Sequence, residues 1–306
     1  MRSAWLPVAA AAMLLGGCGT ATSTPQTEDQ PTDSPAERPT TVLAADGPVR
    51  TAHGATVIDE GDGPQACMGG VAGSYPPQCR GVPLAGWSWD GVPGDYEEAS
   101  GVRWGTFVVT GTFDGTTLTV TDVAGPEAAD PQPPHPGFGS PCPVPEGGWQ
   151  VIDRELTTER TLTQTINAAE RRDDFAAAWV DQSINPVYPQ VEAGEMGIDI
   201  ETRMNDTEFT IINIQVTGDV AAAEAEARQT WGGSLCVSKG RSSQRERQRI
   251  QEELNTLPGM VSSSGGGVEG VVELEVVYDD GSLQKWADAT YGEGLVEVTS
   301  ALRPVG

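Results

Sequence analysis

Chemistry in this chain has few sources. Its 306 residues hold five cysteines, two histidines and 44 acidic side chains. Serine nucleophiles need a base held beside the hydroxyl. No Gly-x-Ser-x-Gly sequence occurs, and His53 lies near an N-terminal tether while His135 sits inside a proline-rich strip. Neither place suits a rigid base. Paired carboxylates perform glycoside hydrolysis, but with so many acids pairs are unavoidable. Glu273 and Glu275 share a strand face and read as a solvated sheet surface. Asp59-Glu60-Gly61-Asp62-Gly63 lacks the spaced ligands and terminal glutamate of a calcium loop, so it reads as an acidic turn. Gly265-Gly266-Gly267 has no lysine to reach a phosphate. Without a Cys-x-x-Cys pair a zinc site is poorly supported. No metal, cofactor or catalytic residue is expected.

The cysteines carry the clearest signal. Arg2 precedes an apolar run from Trp5 to Leu15, and Leu15-Gly16-Gly17-Cys18 resembles a bacterial lipobox. Such a segment is cut before the cysteine, which then takes a diacylglycerol. The run is too short to span a bilayer. The expectation is a signal peptide over residues 1–17, a lipidated Cys18 and a protein held by acyl chains on the extracytoplasmic face of the cell membrane. Four cysteines remain, an even number in an oxidising compartment, which favours two disulfides over a reactive thiol. Cys67 and Cys79 share a Gly/Pro-rich stretch and are paired on that ground. Cys142 and Cys236 are left to each other.

The elements that position these groups follow from pattern. Residues 18–60 are assigned to a tether, disordered to about Pro48, because Thr, Pro, Ser and acids dominate and little is available to bury. Residues 61–147 read as a β-rich part with a proline-rich connector. Val102 to Thr112 and Thr117 to Val123 alternate, with Asp114-Gly115 as the hairpin turn. A small barrel or sandwich is expected, barrel-like in the oligonucleotide/oligosaccharide-binding manner. Trp87, Trp89 and Trp104 are candidates for a surface that stacks on sugars or peptides, weighed against ordinary core packing.

Residues 148–306 change character. A helix is expected over Thr161 to Val180, with Phe175 and Trp179 inward, then a strand at Phe209 to Thr217 and a helix capped by Asp219. Ser243-Gln244-Arg245-Glu246 is a capping box. Pro258 to Gly267 reads as flexible, Gly270 to Tyr278 and Leu295 to Thr299 as strands, with a helix between. The fold class expected is α+β: a small β-rich N-terminal part, then an α/β part with helices on one face of a mixed sheet.

Trp231-Gly232-Gly233-Ser234-Leu235-Cys236-Val237, Arg249-Ile250-Gln251-Glu252-Glu253-Leu254 and the ending from Tyr291-Gly292 to Val305 resemble stretches of actinobacterial envelope lipoproteins, as does Cys67 to Asp90. The resemblance implies a compartment and no activity. The alternating C-terminal pattern also resembles pro-regions of secreted bacterial serine proteases, which implies protein binding at most. The net charge of −26 opposes nucleic-acid and anionic-lipid surfaces. Together these features predict a lipid-anchored binding or interaction protein, its partner an envelope protein or a small ligand. A hydrolase using paired carboxylates is the alternative, and a protease-inhibitor-like or folding factor a further one.

Overall fold

The N-terminal half is organised around one long strand that serves two neighbours on each edge. A computed structural model describes residues 37–94, 96–131, 137–195 and 197–305. Cys18, its leader, the tether up to residue 36 and His135 therefore lie outside the described residues. Strands β1 (Pro48–Thr51) and β2 (Ala55–Asp59) both run antiparallel to the long strand, and β3 (Pro64–Cys67) and β4 (Val82–Ala85) follow as a meander. A short β5 (Glu97–Ala99) precedes the long β6 (Val102–Phe113), and β7 (Leu118–Ala124) returns beside it. Because β4 also pairs with β7 in parallel, β2, β3, β4, β7 and β6 close into a ring. This five-strand closure is a barrel of the kind expected from the sequence.

The ring closes beside a bulge in β7, where Thr121 is the extra residue opposite β6. The register shifts between Thr110 and Gly111, and a Cβ on Gly111 would run into the carbonyl of Thr119. Glycine there lets the two backbones approach at the bulge. Val49, Val57, Phe107, Val109, Phe113 and Leu118 fill the interior. The expected turn is present: Asp114 accepts from the Thr116 and Thr117 amides at 2.8 Å, and Gly115 has φ +97°. Strands β1 and β2 lie within the stretch that the sequence assigns to the tether. Their apolar residues are too few and too interrupted by Gly54 and charges to stand out, yet Val57 and Ile58 are fully buried.

The C-terminal half contains one architecture twice. The first copy is α1 (Glu159–Glu170), β8 (Phe175–Asp181), then β9 (Ile211–Val216), α4 (Val220–Ala227) and β10 (Ser234–Lys239), with α2 (Tyr188–Glu192) and α3 (Ile198–Met204) inserted between β8 and β9. The second is α5 (Gln244–Leu254), β11 (Met260–Ser264), β12 (Val272–Val276), α6 (Ser282–Tyr291) and β13 (Val296–Ser300). In both, the first strand is antiparallel to the second and the third is parallel to it. Thr158 and Ser243 cap the leading helices by accepting the amides of Thr161 and Glu246. Trp231-Gly232 and Tyr291-Gly292 end the crossover segments at corresponding places.

Several expectations are corrected. The α/β part holds two three-stranded mixed sheets, one per copy, instead of a single sheet. Each copy brings its own antiparallel strand and its own core, so the sheets have no need to merge. The helix expected through Val180 stops at Glu170, and Phe175 and Trp179 lie on β8. Phe-Ala-Ala-Ala-Trp-Val carries good helix formers, but pairing with β9 and burial of Phe175 override that preference. The stretch expected to be flexible contains β11, paired with β12. A last strand, β14 (Leu302–Pro304), pairs with β1 and puts Leu302 into the barrel core.

The described residues from 37 onward belong to one compact body. Val277 and Tyr278 pack on the barrel core. The buried Arg247 links the two copies: its guanidinium donates to the carbonyls of Gly265 (2.6 Å), Ser242 (2.7 Å) and, across the copies, Ala176 (2.6 Å). At the N-terminal side, Arg38 donates to the Glu253 carbonyl at 3.0 Å and the Ala45 amide to Phe113 at 2.9 Å. The tether is therefore bound to the folded body well before Pro48.

Candidate functional site

The connector supplies one wall of a surface groove. Both disulfides pair as expected, Cys67 with Cys79 and Cys142 with Cys236, with Cα atoms 6.2 and 5.7 Å apart. The second bond joins the connector to β10. Strand pairing puts Trp179 opposite Asn213, and Asn213 opposite Cys236, so the three share one face of the first sheet. Helices α1 and α4 cover the other face, over Ile212, Ile214 and Val216. The connector lies across the first. Trp179 Nε1 donates to the Phe138 carbonyl at 2.8 Å, and the Ser140 amide donates to Asp181 at 2.7 Å. Asp181 also accepts from the Ser183 amide at 2.8 Å. Burial works against its charge, but the hydrogen bonds from Ser183 and Ser140 outweigh it and hold the carboxyl below its usual range.

Beside this contact opens a groove of about 900 Å³. Val144, Trp149, Ile184 and Phe209 supply apolar surface, and an Arg154–Glu208 ion pair at 2.6 Å stands at its side. The buried Asp181 forms part of the wall but has its oxygens committed to amides. A carboxylate held ionised in this way is a poor general acid at neutral pH. The groove offers apolar walls, exposed peptide groups and both charges, which suits an extended segment better than bond cleavage.

The candidate tryptophans do not form a common surface. Trp87 and Trp89 pack against Phe107 with ring centroids 5.3 and 6.2 Å away. Trp89 is buried and donates to Asp59 at 3.1 Å, which gives the acidic turn Asp59 to Gly63 a structural task. Trp104 lies in a different cluster, with Ile58 and Cys67. Strand alternation explains the split, since Trp104 and Phe107 occupy opposite faces of β6. The aromatic ring that sequence reasoning passed over is Tyr75, 74% exposed and edge-on to Trp104. Its signal was available: Ser74-Tyr75-Pro76-Pro77 stands inside a disulfide loop too small to bury it.

The remaining candidates are dispersed. His53 Nδ1 lies 3.3 Å from the Asp130 carbonyl on the barrel. Glu273 is exposed, and Glu275 is bonded to Ser262 at 3.3 Å on the outer face of the second sheet. Among the described residues, no group of three or more His, Cys, Asp or Glu could hold a metal ion, and no helix is long and apolar enough to cross a membrane. Comparison with known proteins finds no matching family model, no matching curated protein and no matching solved structure.

Proposed function

We propose that this chain is a lipid-anchored extracytoplasmic lipoprotein that works by binding, and that the connector groove receives an extended segment of an envelope protein. One observation carries the reading: the groove wall is irregular chain already fastened in place by Cys142–Cys236 and by hydrogen bonds to Trp179 and Asp181. Such a wall is preformed, so a ligand need not order it, which lowers the entropic cost of association. The apolar residues Trp149, Ile184 and Phe209 give places for side chains, while Arg154 and Glu208 set direction at the rim. What favours binding over hydrolysis is the state of Asp181, whose oxygens both accept amide hydrogens.

The anchor is part of the same proposal. With Cys18 acylated, the chain resides where envelope proteins pass. The test combines both parts. In cells, Cys18→Ala should move the protein from the membrane to the soluble fraction or leave the precursor uncut. Photo-crosslinking from position 144 should trap a partner in wild type. Phe209→Ala together with Arg154→Ala should abolish that adduct, while Glu273→Ala should not. Membrane retention of Cys18→Ala would refute the anchor, and an adduct indifferent to the groove substitutions would refute the groove.

A further inference from the structure

Tyr75 is 74% exposed and sits on a loop that is braced at both ends. The loop between β3 and β4 is closed by Cys67–Cys79 and stitched by a bridge between Ala72 and Gln78. Tyr75 rests edge-on against Trp104, with ring centroids 5.3 Å apart at 88°. Its hydroxyl donates to Glu97 at 3.3 Å. Trp104 is itself fixed in the cluster with Ile58 and Cys67, so the tyrosine is backed by an immobile ring. Around it an open groove of about 760 Å³ runs over β2 and β6, with Thr56, Thr106, Glu97 and Glu127 offering oxygens and Pro77 and Pro93 forming stiff walls. None of the described lining residues is cationic.

We propose that this groove is a second binding site, separate from the connector groove, and that its ligand is a neutral carbohydrate. The chemistry selects that class. A groove without positive charge and with two carboxylates repels phosphorylated or acidic ligands. Its openness and mix of hydroxyls and carboxylates do not suit an acyl chain. A single braced aromatic plate flanked by oxygen acceptors suits a pyranose or furanose ring, whose C–H face stacks on the aromatic ring while its hydroxyls donate to Glu97 and Glu127. A proline-rich peptide is the competing occupant, but such segments dock between several exposed aromatic rings. Here Trp104 is 7% exposed and Tyr75 provides the only open plate in the lining.

The experiment uses the full acylated chain in a detergent without a sugar headgroup, titrated with soluble neutral oligosaccharides: α- and β-linked glucans, mannans, galactans and arabinans. Wild type should bind at least one class. Tyr75→Ala should weaken that binding about tenfold or more, the scale of one lost aromatic contact. Tyr75→Phe should stay within about threefold, because the plate remains, and Glu97→Gln should fall between them. Tyr75 is exposed, so its replacement leaves the fold intact, and an unchanged melting temperature verifies this. Phe209→Ala in the connector groove should leave sugar binding unaltered, so failure of either site is separable from the other. No binding to any neutral oligosaccharide, binding unaffected by Tyr75→Ala, or preference for a proline-rich peptide would each overturn the proposal.

Discussion

The two α-β-β-α-β copies of the C-terminal half differ chiefly in what covers their second sheet face. In the first copy that face carries Ala177, Trp179, Asn213, Gln215, Cys236 and Ser238, with Asp181, Ile211 and Ser234 at its end, and the connector lies over it. In the second the corresponding positions are Ser262, Ser264, Glu273, Glu275, Glu297 and Thr299, most of them exposed. The position of the disulfide cysteine Cys236 is taken by Glu297. Apart from Ala177, Trp179 and Ile211 on the first, both faces are polar, so neither gains as much from being covered as the helix-packed faces do. The cover on the first is held by one covalent bond and a few hydrogen bonds, and Ser140, Asn213, Ser234 and Ser238 each leave a buried side-chain oxygen without a protein partner. The lesson is that an apolar face, once paired with helices, completes a stable unit. The polar face is then free to be fastened to something else or left in water.

The largest expected effect comes from removing that fastening. Cys142 and Cys236 are separated by 94 residues, and a loop of about this size is worth on the order of 4–5 kcal/mol in the chain-entropy model. Cys142→Ser with Cys236→Ser should lower the melting temperature, and amide exchange should accelerate in β8 to β10 far more than in β12 and β13. Equal loss of protection in both copies would break the distinction between a fastened and an independent face.

The corresponding aromatics probe the faces that the copies share. Trp231 is fully buried and donates to the Ser234 carbonyl at 2.8 Å. Tyr291 is half-buried, packs on Trp286 at 5.6 Å and donates to Glu253 at 3.0 Å. Trp231→Ala should cost about 3–5 kcal/mol in denaturant unfolding. Tyr291→Ala should cost less, because it leaves a smaller cavity open to water. A reversed order would mean that the second copy, and not the first, dominates the core.

These units show how far the sequence could be read. Strands β9 and β12 were legible because apolar and polar residues alternate strictly, and the caps at Asp219 and Ser243 were legible because acceptor and amide are local. Cysteine parity, with Cys67 and Cys79 sharing one Gly/Pro-rich stretch, gave both disulfides. Strand β8 was hidden by three alanines whose local preference is helical, and the pairing that decides its state comes from β9, beyond the inserted α2 and α3. Strand β14 is three residues long and acquires meaning only beside β1, most of the chain away. The duplication escaped notice because the insertion changes the spacing in one copy and because Trp231 and Tyr291, or Cys236 and Glu297, are not alike as letters. Of the candidate sites, the cysteines were readable from parity. The groove was not, because its walls come from distant segments.

Titration should reach Asp181 and Tyr291 from opposite sides of neutral pH. Asp181 is held below its usual range in the folded state, so its contribution is present above the unfolded value near 3.8 and is lost as pH falls through the lower folded value. Tyr291 moves the other way. Burial first, then the Glu253 carboxylate, pushes it up to about 12 from 10.0, so its contribution is present below the unfolded value and fades as pH rises toward about 12. Acid should therefore loosen the connector contact at Asp181, alongside Asp174 and Asp280, whose carboxyls are also held low, and alkali the Tyr291 contact, seen by amide exchange at β8 and by ultraviolet titration of the tyrosine. Asp181→Asn should remove the acid-induced loosening of the connector at β8 and cost about 1–3 kcal/mol. Loosening at β8 that persists in that variant would place its origin elsewhere.

The smallest effect tests whether the second face is simply solvated. Glu273 lies directly opposite Glu297 in the parallel pair, and Glu275 opposite Thr299. Like charges set side by side on a sheet destabilise it by roughly 0.2–1 kcal/mol. Glu297→Thr would copy the neighbouring pairing and relieve that repulsion, so denaturant unfolding should show a gain of about 0.5 kcal/mol at low salt. The gain should shrink as ionic strength rises and the Debye length falls below the separation of exposed charges. A face that only meets water has no other use for the glutamate, so removing it should stabilise the chain. If Glu297→Thr instead destabilises the chain, or if its effect ignores salt, the glutamate is held by a contact. The second face would then be fastened after all, and the difference between the copies would be one of partner and not of cover.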